Sequence, residues 1–481
     1  MALKVYDTFK QKKVEFEPVT PGKAGIYFCG MTVQDRPHMG HMLAFVSGDM
    51  VRRYLEYSGF DVTYIQNFTD IDDKIIDKAA DEGIEYTEVA RRNIEAYHAA
   101  AGALNIKPAT EYPYATRHIP DILDIIGRLV EKGHAYAAGG DVYFRVRTMK
   151  DYGKLSRRNI DDLMSGARIE VGETKEDPLD FALWKGSVDP EPGWDSPWGR
   201  GRPGWHIECS AMSMKYLGET FDFHGGGEDL IFPHHENEIA QSECANDKPF
   251  ANYWLHNGLL NLRGEKMSKS TGHFFAMEDI LKEYEGVVVR FYLLSTHFRS
   301  QSEFSRERLE EAGKGYERLT NACRAVSESL ESLGDTPGVS TPAGTDFKAA
   351  VGKTRERFLE AMDDDFNSAG AMGQIFDLIK TYNILVDSHG LALSRDREAL
   401  EAFRETIIEF DSVLGLFKDG FPRGVEDVPT EILTMLQERQ NARKDKDFQR
   451  ADELRDAIVA AGYTIEDTSE GSRVRKAFYS H

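Results

Sequence analysis

Residues 26–73 read IYFCGMTVQDRPHMGHMLAFVSGDMVRRYLEYSGFDVTYIQNFTDIDD, and the order of strand, loop, helix and strand within them decides the fold. Ile26, Tyr27 and Phe28 form a short apolar run that stops at Cys29 and Gly30, the pattern of a buried strand ending where side chains turn toward a ligand. His38, Gly40 and His41 stand directly before a helical pattern in which Leu43, Phe45, Val46, Met50, Val51, Tyr54 and Leu55 fall largely on one side. Gly59 is expected to close that helix. A second strand follows around Val62 to Ile65. A strand feeding a helix N-terminus offers phosphate unpaired NH groups and the positive end of the helix dipole. Two histidines there add donors for charge that develops during displacement, and Gly40 lets a nucleotide ring approach the backbone. Taken alone, the HMGH run reads equally well as a pair of capping or surface residues.

The 481 residues predict several domains, since one domain takes roughly 100–200 residues. The four cysteines, Cys29, Cys209, Cys244 and Cys323, contain no CxxC pair, which argues against a zinc ribbon and a secreted disulfide framework. The opening MALKVYDTFK has no apolar leader core, and no apolar run approaches the roughly 20 residues that span a bilayer. A soluble, cytoplasmic protein is the expectation. The formal charge of −22, from 59 basic against 81 acidic residues, disfavours a polyanionic partner unless basic residues gather locally.

Along the chain, TDIDDKIIDKAA starts a helix with Thr69 or Asp70 near its cap. Strand and helix alternate through residues 1–120, which predicts a parallel sheet with crossover helices and so the first half of an α/β, Rossmann-like doubly wound domain. Residues 121–200 change texture: a helix at 121–132, a strand around Val142 to Val146, then the turn-rich DPEPGWDSPWGRGRPGW, together an inserted domain. Residues 201–258 return to strand and helix signals as the second half of the nucleotide fold. Pro233 is expected as the first residue of a helix there. Residues 259–305 form a linking region that carries KMSKS. Residues 306–420 show helical patterns of a bundle, and 421–481 form a small C-terminal α+β tail in which GYTIED and GSRVRK suggest a hairpin.

His234 and Glu238, four apart, would share one helix face and could reach one metal ion, as would a cap and a surface glutamate without one. Cys29, which ends the strand beside the nucleotide loop, and Cys209, which follows the Trp205 segment, could join them as thiolates or stand as two buried apolar cysteines, with His235 as a competing ligand. His224, Gly225, Gly226, Gly227 and Asp229 make a loop able to approach a ribose and adenine, or an ordinary turn. The KMSKS run at Lys266 to Ser270 sets two ammonium groups beside two hydroxyls between Gly264 and Gly272, a loop able to close over a triphosphate or a solvated basic loop.

Read together, HMGH near the N-terminus and KMSKS after the second half-fold resemble the nucleotide motifs of class I aminoacyl-tRNA synthetases. CGMTV, NFTDIDDKI, RPGWHIECSAM, HGGGEDLIFPHHENEIAQSECA and EKMSKS, in this order along the chain, are similar to the cysteinyl-tRNA synthetase family. That resemblance implies a zinc ion held by Cys29, Cys209, His234 and Glu238, and a cysteine pocket formed with Gly30, Thr32, Thr69 and Trp205. It implies ATP, with magnesium, held at His38, Gly40, His41, Gly227, Asp229 and Lys269, and catalysis by His38, His41, Lys266 and Lys269. It also implies tRNA(Cys) as partner, an anticodon-binding tail and a monomer. Gln34, His273 and Val474 depart from the family pattern, the last of them where anticodon contacts are expected. Two other readings stay open: a ligase joining cysteine to an amino sugar, which needs no such tail, and a catalytically silent RNA-binding relative.

Overall fold

Four parallel strands form the central sheet, in the order Ala251–Asn257, Phe221–Gly227, Lys23–Phe28, Asp61–Gln66. The computed structural model describes residues 2–159, 174–262, 265–266, 276–336, 338–389, 391–423, 428–468, 471–476 and 478. A parallel strand covered on both faces must be apolar on both, which explains the uninterrupted run at Ile26, Tyr27 and Phe28. Alternate residues serve opposite cores. Ile26, Phe28 and Tyr64 join the apolar cluster that contains helix Met39–Tyr57. Tyr27, Cys29 and Ile65 join a second cluster with helices Ile119–Glu131, Trp205–Leu217 and Glu236–Asn246. The chain leaves Lys23–Phe28 to one side and returns on its other, so the crevice at the carboxyl ends of this strand and Phe221–Gly227 is the topological switch point where such sheets bind ligands.

Several boundaries differ from those expected. Helix Asp73–Glu82 is capped by Asp72, whose side chain accepts from Lys74 N at 3.0 Å. Thr69 instead continues an extended segment paired with Thr32, and Asp70 accepts from the Thr116 amide and hydroxyl. The cap therefore falls two to three residues later than Thr69 or Asp70, where the acidic run alone would place it. The strand expected at Val142 to Val146 runs Asp141–Phe144 and turns into a 3-10 segment at Val146–Thr148. Pro233 is not the first residue of an α-helix: Ile231–His235 form a wide turn, with Phe232 extended, and the α-helix begins at Glu236.

The insertion is a four-stranded antiparallel sheet of Ala135–Ala138, Asp141–Phe144, Phe181–Gly186 and Gly201–Pro203. Helix Ile119–Glu131 shares one core with helices Trp205–Leu217 and Glu236–Asn246 and with Ala135, Val142, Phe144, Leu183 and Trp184 of this antiparallel sheet. Helices Arg306–Leu333, Pro342–Asp363, Ser368–His389 and Arg397–Leu414 build the bundle. Phe358 and Phe410 stack across it at 3.9 Å. Helices Thr430–Lys444 and Phe448–Ala460 and the antiparallel hairpin Tyr463–Thr468/Gly471–Lys476 close a separate small core of Ile432, Leu436, Ile458 and Val474.

Candidate active site

Helix Met39–Tyr57 begins against the sheet edge, and its cap is unusual. His38 is extended (φ −125°, ψ 172°), and its Nδ1 accepts from Gly40 N at 3.1 Å and His41 N at 3.3 Å. His41 Nδ1 accepts in return from His38 N at 3.4 Å. The two rings stack with centroids 3.7 Å apart. An imidazole whose Nδ1 accepts carries its proton on Nε2, so the capping geometry fixes one tautomer for both rings. Burial lowers His38 to about 4, against a smaller upward pull from Asp229. Burial, then the neighbouring His38, holds His41 well below the usual histidine range. Both rings are neutral at pH 7. Capping and donating are thus compatible roles of the same pair, one nitrogen serving each.

A cavity of about 340 Å³ opens in front of them. Its walls include Cys29, Gly30, Thr32 and Trp205 together with His38, Gly40, His41, Gly227 and Asp229, which brings together residues separated by up to two hundred positions in the chain. Thr69 does not line it. This residue stands behind Thr32, and its hydroxyl donates to Glu208 Oε2 at 2.9 Å. Glu208 is buried, and burial raises its carboxyl well above the ordinary range. Asn67 holds the floor: its Oδ1 accepts from Gly30 N at 2.8 Å. A Cβ on Gly30 would lie 1.6 Å from the Asn67 carbonyl oxygen, so only glycine fits. Asn67, Glu208, Lys74 and Asn257 were not singled out from the sequence, although the last two also line the cavity. The signal available for Asn67 was its place at the carboxyl end of a central strand; nothing local marks Glu208.

Of the KMSKS run, the backbone of Lys266 lies in the short strand Glu265–Lys266, paired with Leu260–Leu262, whose Leu260 lines the cavity. Lys269 lies outside the described residues, as does His273. The chain is described again from Ala276, which bridges to His38, while Met277 N donates to Pro37 O at 3.0 Å. The Ala276 end of this segment therefore stands beside the HMGH loop.

Beyond the cavity wall, Cys29, Cys209, His234 and Glu238 converge, with one ligand atom from each lying within 4.8 Å of the others. All four are buried. The Cys29 and Cys209 sulfurs are 3.8 Å apart, Cys29 Sγ is 3.7 Å from Glu238 Oε1, and His234 Nε2 is 3.1 Å from the same oxygen. Tetrahedral coordination with bonds of about 2.3 Å to sulfur and 2.0–2.1 Å to nitrogen or oxygen requires edges of about 3.8 Å between sulfurs and 3.3 Å between the lighter atoms. The donor set fits a metal ion of zinc type. Its outer contacts are also in place: His206 Nδ1 meets His234 Nδ1 at 2.9 Å, and His224 Nε2 meets Glu238 Oε2 at 2.8 Å. Burial pushes the Cys29 thiol and the Glu238 carboxyl up, as anionic ligands behave when only a cation would let them ionise. The competing His235 also comes close, its Nε2 lying 3.3 Å from Cys29 Sγ, and Cys29, His224, His235 and Glu238 form an overlapping donor group. That group has one sulfur in place of two.

A doubly wound sheet with this loop, cavity and following bundle is the architecture of a class I aminoacyl-tRNA synthetase, and residues 15–314 match the family described as tRNA synthetases class I (C) catalytic domain. Residues 357–418 match the DALR domain and 425–475 the cysteinyl-tRNA ligase anticodon binding domain. The cysteine-tRNA ligase of Geobacter metallireducens is 49% identical over 98% of this chain and 99% of its own length. That of Heliobacterium modesticaldum is 50% identical over 99% of this chain and 100% of its own. The chain belongs to the cysteine-tRNA ligase family. Among solved structures, the methionyl-tRNA synthetase of Mycobacterium tuberculosis in complex with methionyl-adenylate shares the fold, with a TM-score of 0.65 at 17% identity, covering 82% of this chain and 92% of that one. Among the described residues no helix is long and apolar enough to cross a membrane.

Proposed function

We propose that the cavity activates L-cysteine with ATP and passes the aminoacyl group to the 3′ end of tRNA(Cys), releasing pyrophosphate and then AMP. The observation that carries this reading is a cavity lined by both groups of residues, the first Cys29, Gly30, Thr32 and Trp205 and the second His38, His41, Gly227 and Asp229. The amino acid occupies the first and the nucleotide the second, so the cysteine carboxylate faces the α-phosphate. In-line attack builds charge on that phosphate, and the Nε2–H groups of His38 and His41 stabilise it as neutral donors. Lys266 and Lys269 add positive charge at the pyrophosphate, with magnesium accompanying ATP. Thr69, steadied by Glu208, and Gly30, steadied by Asn67, keep the cysteine end in shape. In the second step a terminal ribose hydroxyl of the tRNA, the 2′ in this class, attacks the activated carbonyl and expels AMP.

Cys29, Cys209, His234 and Glu238 would hold one zinc ion per chain, with His206 and His224 orienting two of these ligands. Bound there, zinc supplies a soft Lewis acid that accepts a thiolate and leaves a serine hydroxyl protonated and weakly held. The remaining assignments belong to the same proposal: a catalytic unit in two halves around the insertion, a KMSKS-bearing link, a tRNA-contacting bundle at 306–420, an anticodon-reading tail from 421, a monomer, and the cytoplasm as location. The match of 425–475 to an anticodon binding domain counts against a ligase acting on an amino sugar. ATP–pyrophosphate exchange with each standard amino acid in turn, followed by charging of tRNA, tests the reading. Cysteine alone should support both, in protein that carries zinc. Absence of exchange with every amino acid would leave a silent RNA-binding relative in its place.

A further inference from the structure

Arg290 lies on helix Gly286–Leu294 and is fully buried. Its guanidinium joins four segments. Nη2 donates to Asp49 Oδ2 at 2.6 Å, in the middle of the helix whose first turn carries His38 and His41. Nη1 donates to the carbonyls of Leu104 and Asn105 at 3.2 and 3.3 Å, at the end of helix Tyr86–Ala103. Nε donates to Leu414 O at 2.6 Å, at the end of the last bundle helix. Arg53 backs the arrangement, reaching Asp49 Oδ2 at 2.8 Å and Asn105 O at 2.7 Å.

Burying this charge is a poor way to gain stability, since well-packed apolar side chains of similar volume do as well or better. What a guanidinium adds is a rigid fork of donors that fixes the mutual angle of the groups it binds, here the carboxyl ends of two helices and a carboxylate on a third. The chain turns immediately past that point. Gly415 takes φ +63°, and a Cβ there would stand 3.0 Å from Arg290 Nη2 and from Arg53 Cζ. The Asn105 side chain donates to Gly415 O at 2.9 Å, and Tyr316 OH donates to the Leu416 carbonyl at 2.9 Å. The chain then leads into the tail at 425–475. The far end of the tail returns to the same place: Tyr316 packs edge-on against Phe478 with ring centroids 4.9 Å apart, and the amide of Glu285, which caps the helix that carries Arg290, donates to Phe478 O at 3.0 Å.

We propose that Arg290 is a positioning residue for aminoacyl transfer: it holds the exit of the bundle at a fixed angle to helix Met39–Tyr57, so that a tRNA gripped by the tail presents its 3′ end to the cavity. The inference rests on the function proposed above. Cysteine-dependent exchange by the unaltered protein tests that function first, and the variants then test Arg290 alone. Three measurements separate positioning from bulk stability: ATP–pyrophosphate exchange, charging of full-length tRNA, and charging of an acceptor-stem minihelix that never reaches the tail. Arg290→Lys keeps the charge but cannot span Asp49, Leu104 and Leu414 at once. Exchange and minihelix charging should stay within about threefold, while kcat/KM for full-length tRNA falls about tenfold or more, the size of a typical coupling between sites. Gly415→Ala attacks the same contact from the bundle side, should give the same split, and decides the matter if the Lys variant does not fold. Parallel losses in all three measurements, or no loss in any, would overturn the proposal.

Discussion

His38 does two jobs through two nitrogens, and substitution can part them. Asparagine is a good helix cap but has no donor in the place of Nε2–H. His38→Asn should therefore melt close to the parent while its pre-steady-state rate of adenylate formation falls about 10²–10³-fold, the loss expected when one donor to a developing oxyanion is removed. His38→Ala should lose the same rate and also about 1 kcal/mol of stability, because the Gly40 and His41 amides lose their acceptor. An Asn variant that forms adenylate at the parent rate would sink the donor role. The pH dependence has a definite sign. Burial takes folded His38 to about 4, below the roughly 6.5 of an unfolded histidine, so the unfolded chain binds more protons between these values. Stability falls as pH is lowered through that window, and His38→Asn should flatten part of the slope in urea titrations. At the cluster, Cys209→Ser should reduce zinc measured by elemental analysis and erode the preference for cysteine over serine in exchange. Retention of full zinc would remove Cys209 from the ligand set. Residues that line the cavity or converge in the thiol cluster were legible in the sequence because their types are rare in combination: two histidines at a helix start, two thiols, a histidine and glutamate four residues apart. Asn67 and Glu208 were not, because each acts through a neighbour, and a hydrogen bond to Gly30 or Thr69 leaves no periodic or compositional trace.

Elements that bury one continuous face were the easiest to foresee, and elements whose ends depend on partners far along the chain were the hardest. The apolar run at Ile26 to Phe28 and the one-sided helix after His41 announce themselves. The start of helix Asp73–Glu82 was misplaced because Thr69 pairs with Thr32 and Asp70 with Thr116, contacts invisible until the fold brings them together. At the end of the last bundle helix, Asp411 accepts from the Leu416 and Phe417 amides, yet burial lifts its carboxyl to about 6 against the opposing pull of those bonds and of Arg290 and Arg53. An acid whose folded value exceeds its unfolded one binds its proton more tightly when folded. Its contribution is fully present below about pH 4 and is lost as pH rises through 6. Asp411→Asn keeps an oxygen for both amides and removes the titration. It should unfold at a higher temperature than the parent at pH 7.5, by on the order of 1 kcal/mol, and show no such advantage near pH 4. An equal shift at both pH values would point to packing instead.

For the whole molecule, the question is how a chain of net charge −22 holds a polyanion. Arg439, Arg443, Lys444, Lys446 and Arg450 stand close together in the tail sequence, and the structure divides that group. Arg439 is buried, with its Nη1 near Ser472 Oγ at 3.4 Å. Arg450 pairs with Glu438 and Glu453 at 3.3 Å each. Lys444 and Lys446 are exposed around the turn between the two tail helices. A cation already neutralised by neighbouring carboxylates releases few counterions from a bound phosphate backbone, whereas an exposed lysine releases about one for each phosphate it contacts. The double change Lys444→Glu, Lys446→Glu should then weaken tRNA binding and make its dependence on log salt shallower by about 1 to 2 in slope, while Arg450→Gln does far less. Cysteine-dependent exchange should be untouched by either, since the tail keeps a small core of its own around Ile432, Leu436, Ile458 and Val474. Removal of everything from residue 428 should likewise abolish most charging and spare most exchange. If the Lys variant binds tRNA with an unchanged salt slope, the tail reads the anticodon without these two lysines, and the acidic chain must gather its positive charge elsewhere.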